Sequence, residues 1–200
     1  RALVIDGAMG TQIQTYGVPN EAWIFEGQHL EGCNELLNLT APEILHKIHN
    51  AYAYADADMI KTNTFGSMNW VLDEYGLGHL SYELSKIGCQ IAREICDKYS
   101  TEQKPRFVLA SIGPGTKLPS LGHIAYDEMF EGYKIMAQGL ADGGADVFLI
   151  ETCQDPLQIK ACIHALNEVA PQIPVMVSVT MELSGSMLIG TDAATIATIL

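Results

Sequence analysis

Basic residues are scarce in this sequence. Eleven Lys and Arg stand against 24 Asp and Glu, for a formal net charge of −13. That balance lacks the electrostatic footprint of a nucleic-acid surface, so no nucleic-acid partner is expected. No apolar run approaches the roughly 20 residues of a membrane span, and no membrane partner is expected either. A charged-then-apolar leader with a cleavage site is missing, so nothing suggests secretion. The five cysteines, Cys33, Cys89, Cys96, Cys153 and Cys162, form no C-x-x-C and no regular framework. An odd, scattered set fits a reducing cytoplasm, the expected location. G-x-G-x-x-G, Walker and G-x-S-x-G motifs are all absent, which removes the common phosphate loops and the strained serine elbow. Low-complexity segments and linkers are absent too. The chain begins at Arg1 and stops within "TDAATIATIL", a helix opened by Thr191 or Asp192, so both ends read as cut from something longer.

What remains is a strand-then-helix rhythm. Five short Val- and Ile-rich runs, apolar on both faces, read as buried parallel strands: Ala2–Ile5, Asp58–Lys61, Phe107–Ser111, Asp146–Ile150 and Pro174–Val179. Helical periods lie between them, in Ile44/Ile48/Ala51/Tyr52, Leu84/Ile87/Ile91/Ile95, Met129/Tyr133/Met136/Leu140 and Leu157/Ala161/Ile163/Leu166. Thr40 can cap the first of these helices, with Pro42 in its first turn. Residues 17–38 read as an elaborated loop or short-helix insert. Successive βα units mean an α/β fold with a parallel sheet. Of the two architectures that fit, an open doubly wound sheet would want a phosphate loop after strand one, and "DGAMGT" is a poor one. A complete (β/α)8 TIM barrel needs about 250 residues. The sequence therefore predicts such a barrel truncated after about strand five, with strands in sequential order and helices outside.

Chemistry gathers where the strands end. Asp6 follows the first run, Thr62, Asn63 and Thr64 the second, Ser111 closes the third, and Glu151 and Thr152 follow the fourth. In a parallel sheet these ends share one rim, where ligands bind. Asp6 and Glu151, read as having no basic residue beside them, suit a cationic group such as an ammonium. Backbone amides of "DGAMGT" and "TNTFGS" could take a carboxylate, and Gly7 and Gly10 let backbone come close. Together these describe an α-amino-acid pocket, although βα loops favour such residues as turn and helix caps as well. His46 and His49, one helical turn apart, lack a third ligand and read as a helix-surface pair rather than a metal site. Cys153, near the rim, reads as inert packing.

The stretches "DGAMGTQIQTYG", "GCNELLNLTAPEILHKIHNAYAYADADMIKTNTFGS", "SIGPGTKLPS" and "GGADVFLIETCQD" together resemble the homocysteine-binding domain of cobalamin-dependent methionine synthases. The resemblance covers nearly the whole chain and implies the N-terminal portion of a (β/α)8 barrel that binds homocysteine. It assigns the amino group to Asp6 and Glu151, the carboxylate to backbone around Gly7 and Thr64, and the pocket lining to Asn63 and Ser111. It further implies zinc that activates the substrate thiol, a methyl group from methylcobalamin recharged by methyltetrahydrofolate, and downstream folate and cobalamin domains in the same polypeptide. The family's zinc cysteines lie in motifs after strand six and near the last strand, beyond this sequence, so no metal ligand and no complete catalytic set is expected here. Two alternatives stay open: a homocysteine S-methyltransferase using betaine or S-methylmethionine, and a non-catalytic amino-acid-binding fragment.

Overall fold

A computed structural model describes residues 2–200. The first 40 residues build α1 (Met9–Tyr16), a small hairpin of β1 (Ile24–Phe25) and β2 (Gln28–His29), and α2 (Leu37–Thr40). The expected insert is thus this hairpin with short 3-10 turns on either side. α3 (Pro42–Tyr54) then leads into a parallel sheet of β3 (Met59–Lys61), β4 (Phe107–Ile112), β5 (Val147–Cys153) and β6 (Val175–Val179), paired in that order. Between the strands lie α4 (Asn69–Leu72), α5 (Ser81–Tyr99), α6 (Tyr126–Asp142) and α7 (Pro156–Val169), and α8 (Ala193–Ile199) follows β6. The fold is α/β, a four-stranded parallel sheet with alternating helices.

Side chains alternate across the strands and sort the sheet into two faces. Ile60, Val108, Ala110, Ile112, Phe148 and Ile150 join the main core, with Met129, Tyr133, Met136 and Leu140 from one face of α6. Each of those α6 residues is at most 1% exposed, and each such burial contributes about 2 kcal/mol. On the opposite face Met59, Leu109 and Leu149 form a separate small cluster. Two residues further along the same strands come Lys61, Ser111 and Glu151. The period of two therefore puts these three polar residues on the same face as that cluster, one layer nearer the strand ends.

Three local readings are corrected, and one choice between two caps is resolved. The run Ala2–Ile5 does not become a strand. Only Ile5 bridges to Met59, while Val4 O accepts from the backbone of Asp58 and Met59. Leu3, Val4 and Ile5 remain 46%, 58% and 39% exposed, because this run has a neighbour on one side only among the described residues. The hydrogen-bonded strands begin with β3, and this run lies beside β3 through the single parallel bridge, so the sequential order is kept. Pro42 opens α3 as expected, but Thr40 does not cap it: its hydroxyl donates back to Leu36 O, and Ala41 is the cap residue. His46 and His49 are not a surface pair. His46 meets Glu94 at 2.8 Å, whereas His49 is fully buried, and desolvation pushes its pKa down to about 3. At the last helix the choice falls on Asp192, whose carboxylate accepts from Thr195 N at 2.7 Å.

Candidate functional site

At the carboxyl ends of the strands lies a cavity of about 280 Å³, lined among others by Met9, Glu35, Lys61, Asn63, Ser111 and Glu151. Its floor is built from the sequence "KTNTF". After Lys61 the strand ladder gives way to hydroxyls. Ser111 N donates to Thr62 Oγ1, the Thr62 and Thr64 hydroxyls lie 2.6 Å apart, and Thr64 Oγ1 donates to Ser111 O. Because Thr64 spends its proton on that carbonyl, Thr62 must donate to Thr64, and the circuit clamps Ser111 from both sides. Asn63 is fixed in turn. Its amide donates to Asn34 O at 2.7 Å and to Asn38 Oδ1 at 3.0 Å, while Asn38 donates to Asn63 O and Leu84 O. Gly88 lets α5 come this close, since a Cβ there would meet Thr64 Cγ2 at 2.6 Å.

Glu151 is aimed by two features. Its Oε1 accepts from Ser111 Oγ at 2.6 Å, a short charge-assisted bond. The pairing of β5 with β6 is irregular between Ile150 and Cys153, and Thr152 within that bulge has φ +64. A β-branched residue in the left-handed region is strained, and bulges commonly re-aim a side chain beside a site. Asp6 lies just behind the lining. Its backbone N–H donates to Met59 O, and its Oδ2 accepts from Lys61 N at 3.0 Å, which continues the ladder where the first run fails to pair. Its Oδ1 is buried without a partner, and burial raises its pKa to about 7.

The structure brings Asn63, Ser111 and Glu151 to the cavity, places Asp6 beside Lys61, and leaves Gly7 and Thr64 outside the lining. Thr64 is fully buried as a brace for β4. The space next to Gly7 belongs to Tyr52, whose hydroxyl would stand 2.7 Å from a Cβ there and donates to Ala8 O. Two charged lining residues were missed. Glu35, 9% exposed, accepts from Gly66 N through Oε1, and burial raises its pKa. Lys61 approaches Glu151 Oε2 with its Nζ at 3.4 Å, so the expectation that no basic residue stands beside Glu151 is corrected. The signal for Lys61 was its place two residues after Met59, in phase with Ser111 after Leu109 and Glu151 after Leu149.

The residues present do not fit a zinc site. All five thiols are buried, and desolvation pushes Cys33 up to about 11 and Cys96 and Cys153 to about 12. Thiols so disfavoured as thiolates are poor ligands, and none lines the cavity. Among the described residues no group of three His, Cys, Asp or Glu is placed to hold a metal.

With this geometry in hand, the chain can be set beside known proteins. Residues 3–200 match the protein family described as homocysteine S-methyltransferase. Methionine synthase of Mycobacterium leprae is 45% identical over 196 residues, and that of Mycobacterium tuberculosis is 44% identical over the same length. Each match covers 96% of this chain and 16% of the relative, so the chain spans about one-sixth of the length of these curated relatives. Among solved structures, the metallated form of the Escherichia coli homocysteine methyltransferase MmuM shares the fold with a TM-score of 0.81 at 20% identity, over all of this chain and 70% of that one. Its apo form gives 0.71 at 22% identity, over 98% of this chain and 68% of that one.

Proposed function

The chain belongs to the homocysteine S-methyltransferase family, and from that premise we propose that its cavity receives the amino-acid end of homocysteine in a methionine synthase. In this reading residues 1–200 are the N-terminal portion of a (β/α)8 barrel, and further strands complete the wall around the cavity. The observation that carries the proposal is the convergence of Ser111, Glu151 and Asn63, each on a separate loop or strand, upon one polar cavity at the carboxyl ends of a parallel sheet. Glu151, held by Ser111, receives the ammonium. Asp6 adds negative charge behind it. Asn63 is fixed as part of the floor; backbone around Gly7 and Thr64, which the resemblance offers for the carboxylate, reaches the cavity only through neighbours such as Gly10 and Phe65, and is proposed to flank that carboxylate and not to select it.

Methyl transfer forms a bond from the homocysteine sulfur to the methyl carbon as the bond to the donor breaks. We propose methylcobalamin as donor, recharged from methyltetrahydrofolate, with folate and cobalamin domains elsewhere in the same polypeptide and a cytoplasmic location. Among the described residues no helix is long and apolar enough to cross a membrane. Zinc, which the family resemblance implies as the activator of the thiol, takes its ligands from outside these 200 residues, given the buried thiols found here. Alone, this stretch is proposed to position the substrate without turning it over.

The test uses the longest natural polypeptide that carries this sequence. Glu151→Gln should weaken homocysteine about 100-fold while changing the deaminated analogue mercaptobutyrate by less than about threefold, because only homocysteine loses a charge-assisted bond. Equal losses for the two thiols, read by calorimetry, would remove Glu151 from the ammonium site.

A further inference from the structure

Of the described residues that line the cavity, Lys61 alone is basic, and it faces a surplus of carboxylates. Each nearby acid already has one oxygen engaged. Glu35 Oε1 accepts from Gly66 N, Asp6 Oδ2 from Lys61 N, and Glu151 Oε1 from Ser111 Oγ. Lys61 Nζ is drawn to the remaining oxygen of Glu151, but at 3.4 Å. That is long for a bond between two charged groups, which closes to about 2.8 Å when well made. Both side chains keep contact with solvent, at 22% and 18% exposure. A loose, partly hydrated pair of this kind is held weakly and exchanges easily. The backbone of Lys61, by contrast, is pinned between Asp6 and the β4 ladder. Only its stem and ammonium are free to move.

We propose that Lys61 is a further binding and specificity residue, one that takes the α-carboxylate of a zwitterionic amino-acid ligand by exchanging partners. The proposal rests on the amino-acid reading of the cavity. The ligand's ammonium replaces Lys61 Nζ on Glu151 Oε2, and the released Nζ turns to the ligand's carboxylate. One internal ion pair becomes two pairs with the ligand, and the total charge of the site is unchanged. The geometry suits this. The ammonium and carboxylate of an amino acid sit on one carbon, so the group that displaces Nζ brings the new partner of Nζ with it. A lysine carries three donors on a flexible four-carbon stem and can follow without backbone movement. An amine without a carboxylate would displace Nζ and leave it unpaired among fewer waters, which costs affinity. Lys61 thereby selects amino acids over simple amines, a discrimination that Glu151 and Asp6 cannot supply alone.

The experiment compares three thiols on the longest natural polypeptide that carries this chain. They are homocysteine, aminopropanethiol (which lacks the carboxylate) and mercaptobutyrate (which lacks the ammonium). The wild-type protein should prefer homocysteine to aminopropanethiol by about 30-fold, the scale of one charge-assisted bond. Lys61→Met should cut that preference to about threefold or less, with aminopropanethiol bound as well as before or better, since Glu151 is then free. Lys61→Arg should retain most of it. Lys61→Gln, similar in length and uncharged, repeats the test should the Met variant fold poorly. A preference unchanged in Lys61→Met and Lys61→Gln overturns the proposal, and the amino-acid reading survives provided homocysteine still binds better than mercaptobutyrate. A wild-type protein that binds those two equally overturns the amino-acid reading, and this proposal with it.

Discussion

The two ends of the sheet hold their charges in opposite ways. At the amino ends of the strands, acids and bases are matched. Arg106 Nη2 meets Asp56 at 2.7 Å, and Arg106 also donates to Ala57 O; Lys104 pairs with the same Asp56. Arg93 meets Asp146 at 2.6 Å, and that carboxylate also accepts from Val108 N. At the carboxyl ends, Lys61 lies near Asp6 and pairs only loosely with Glu151, at 3.4 Å, while Asp6 keeps a buried oxygen without a partner. Closely paired charge ties chain to chain, and loosely paired charge is left for a ligand. Position along a parallel strand thus separates a residue that holds the fold from one that serves the site.

This contrast can be broken by substitution. The largest effect on stability should come from Asp146→Ala, which strips partners from Arg93 and from Val108 N at once. The cost should be about 2 kcal/mol in denaturant unfolding, discounted for the partial exposure of the pair. The preference for homocysteine over mercaptobutyrate should not move; a shift in it would mean that the amino ends also speak to the site. Ser111→Ala should do the reverse. Stability should change by less than about 0.5 kcal/mol, while homocysteine affinity falls roughly tenfold because Glu151 loses its orienting donor.

A smaller effect sharpens the same contrast through pH. Asp6 carries an ordinary value of 3.8 when unfolded and about 7 when folded, owing to burial. Between those values the folded protein binds a proton that the unfolded chain has released, so stability falls as pH rises through that window and the loss is complete above it. Asp6→Asn should melt close to wild type near pH 4 and a few degrees higher at about pH 8. Matching melting curves at both pH values would show that Asp6 is solvated and not strained. The smallest expected signal is the labelling of thiols. Iodoacetamide at about pH 8 should modify none of the five cysteines appreciably until the protein is denatured, since buried thiols with raised pKa react poorly. Rapid native labelling of Cys153 would bring it back as a site residue.

The rim was legible because an apolar run that ends in a polar residue is visible without coordinates. Ser111 and Glu151 were found that way, yet for a reason that needs refining. β4 runs on to Ile112 and β5 to Cys153, so both residues lie within strands and point across one face. Counting by twos along that face would have found Lys61 as well. Instead Lys61 was absorbed into the run "DMIK", where a single lysine looks like a strand terminus. Glu35 was hidden because its burial depends on Gly66, which is distant in sequence. The run Ala2–Ile5 has the composition of a strand, but pairing is a property of neighbours and not of composition, and here a second neighbour is lacking. His49 shows the same limit on a helix. Its spacing from His46 is plain, but which turn faces the core depends on what packs against α3.

Thr152 carries a lesson for anyone who would improve this protein. Its left-handed backbone costs about 1–3 kcal/mol, and a screen for heat resistance would reward Thr152→Gly, which adopts that conformation freely. The same replacement lets the bulge wander, and with it the direction of Glu151. Selection for durability alone would therefore trade aim for endurance, at a residue that never needs to touch the ligand.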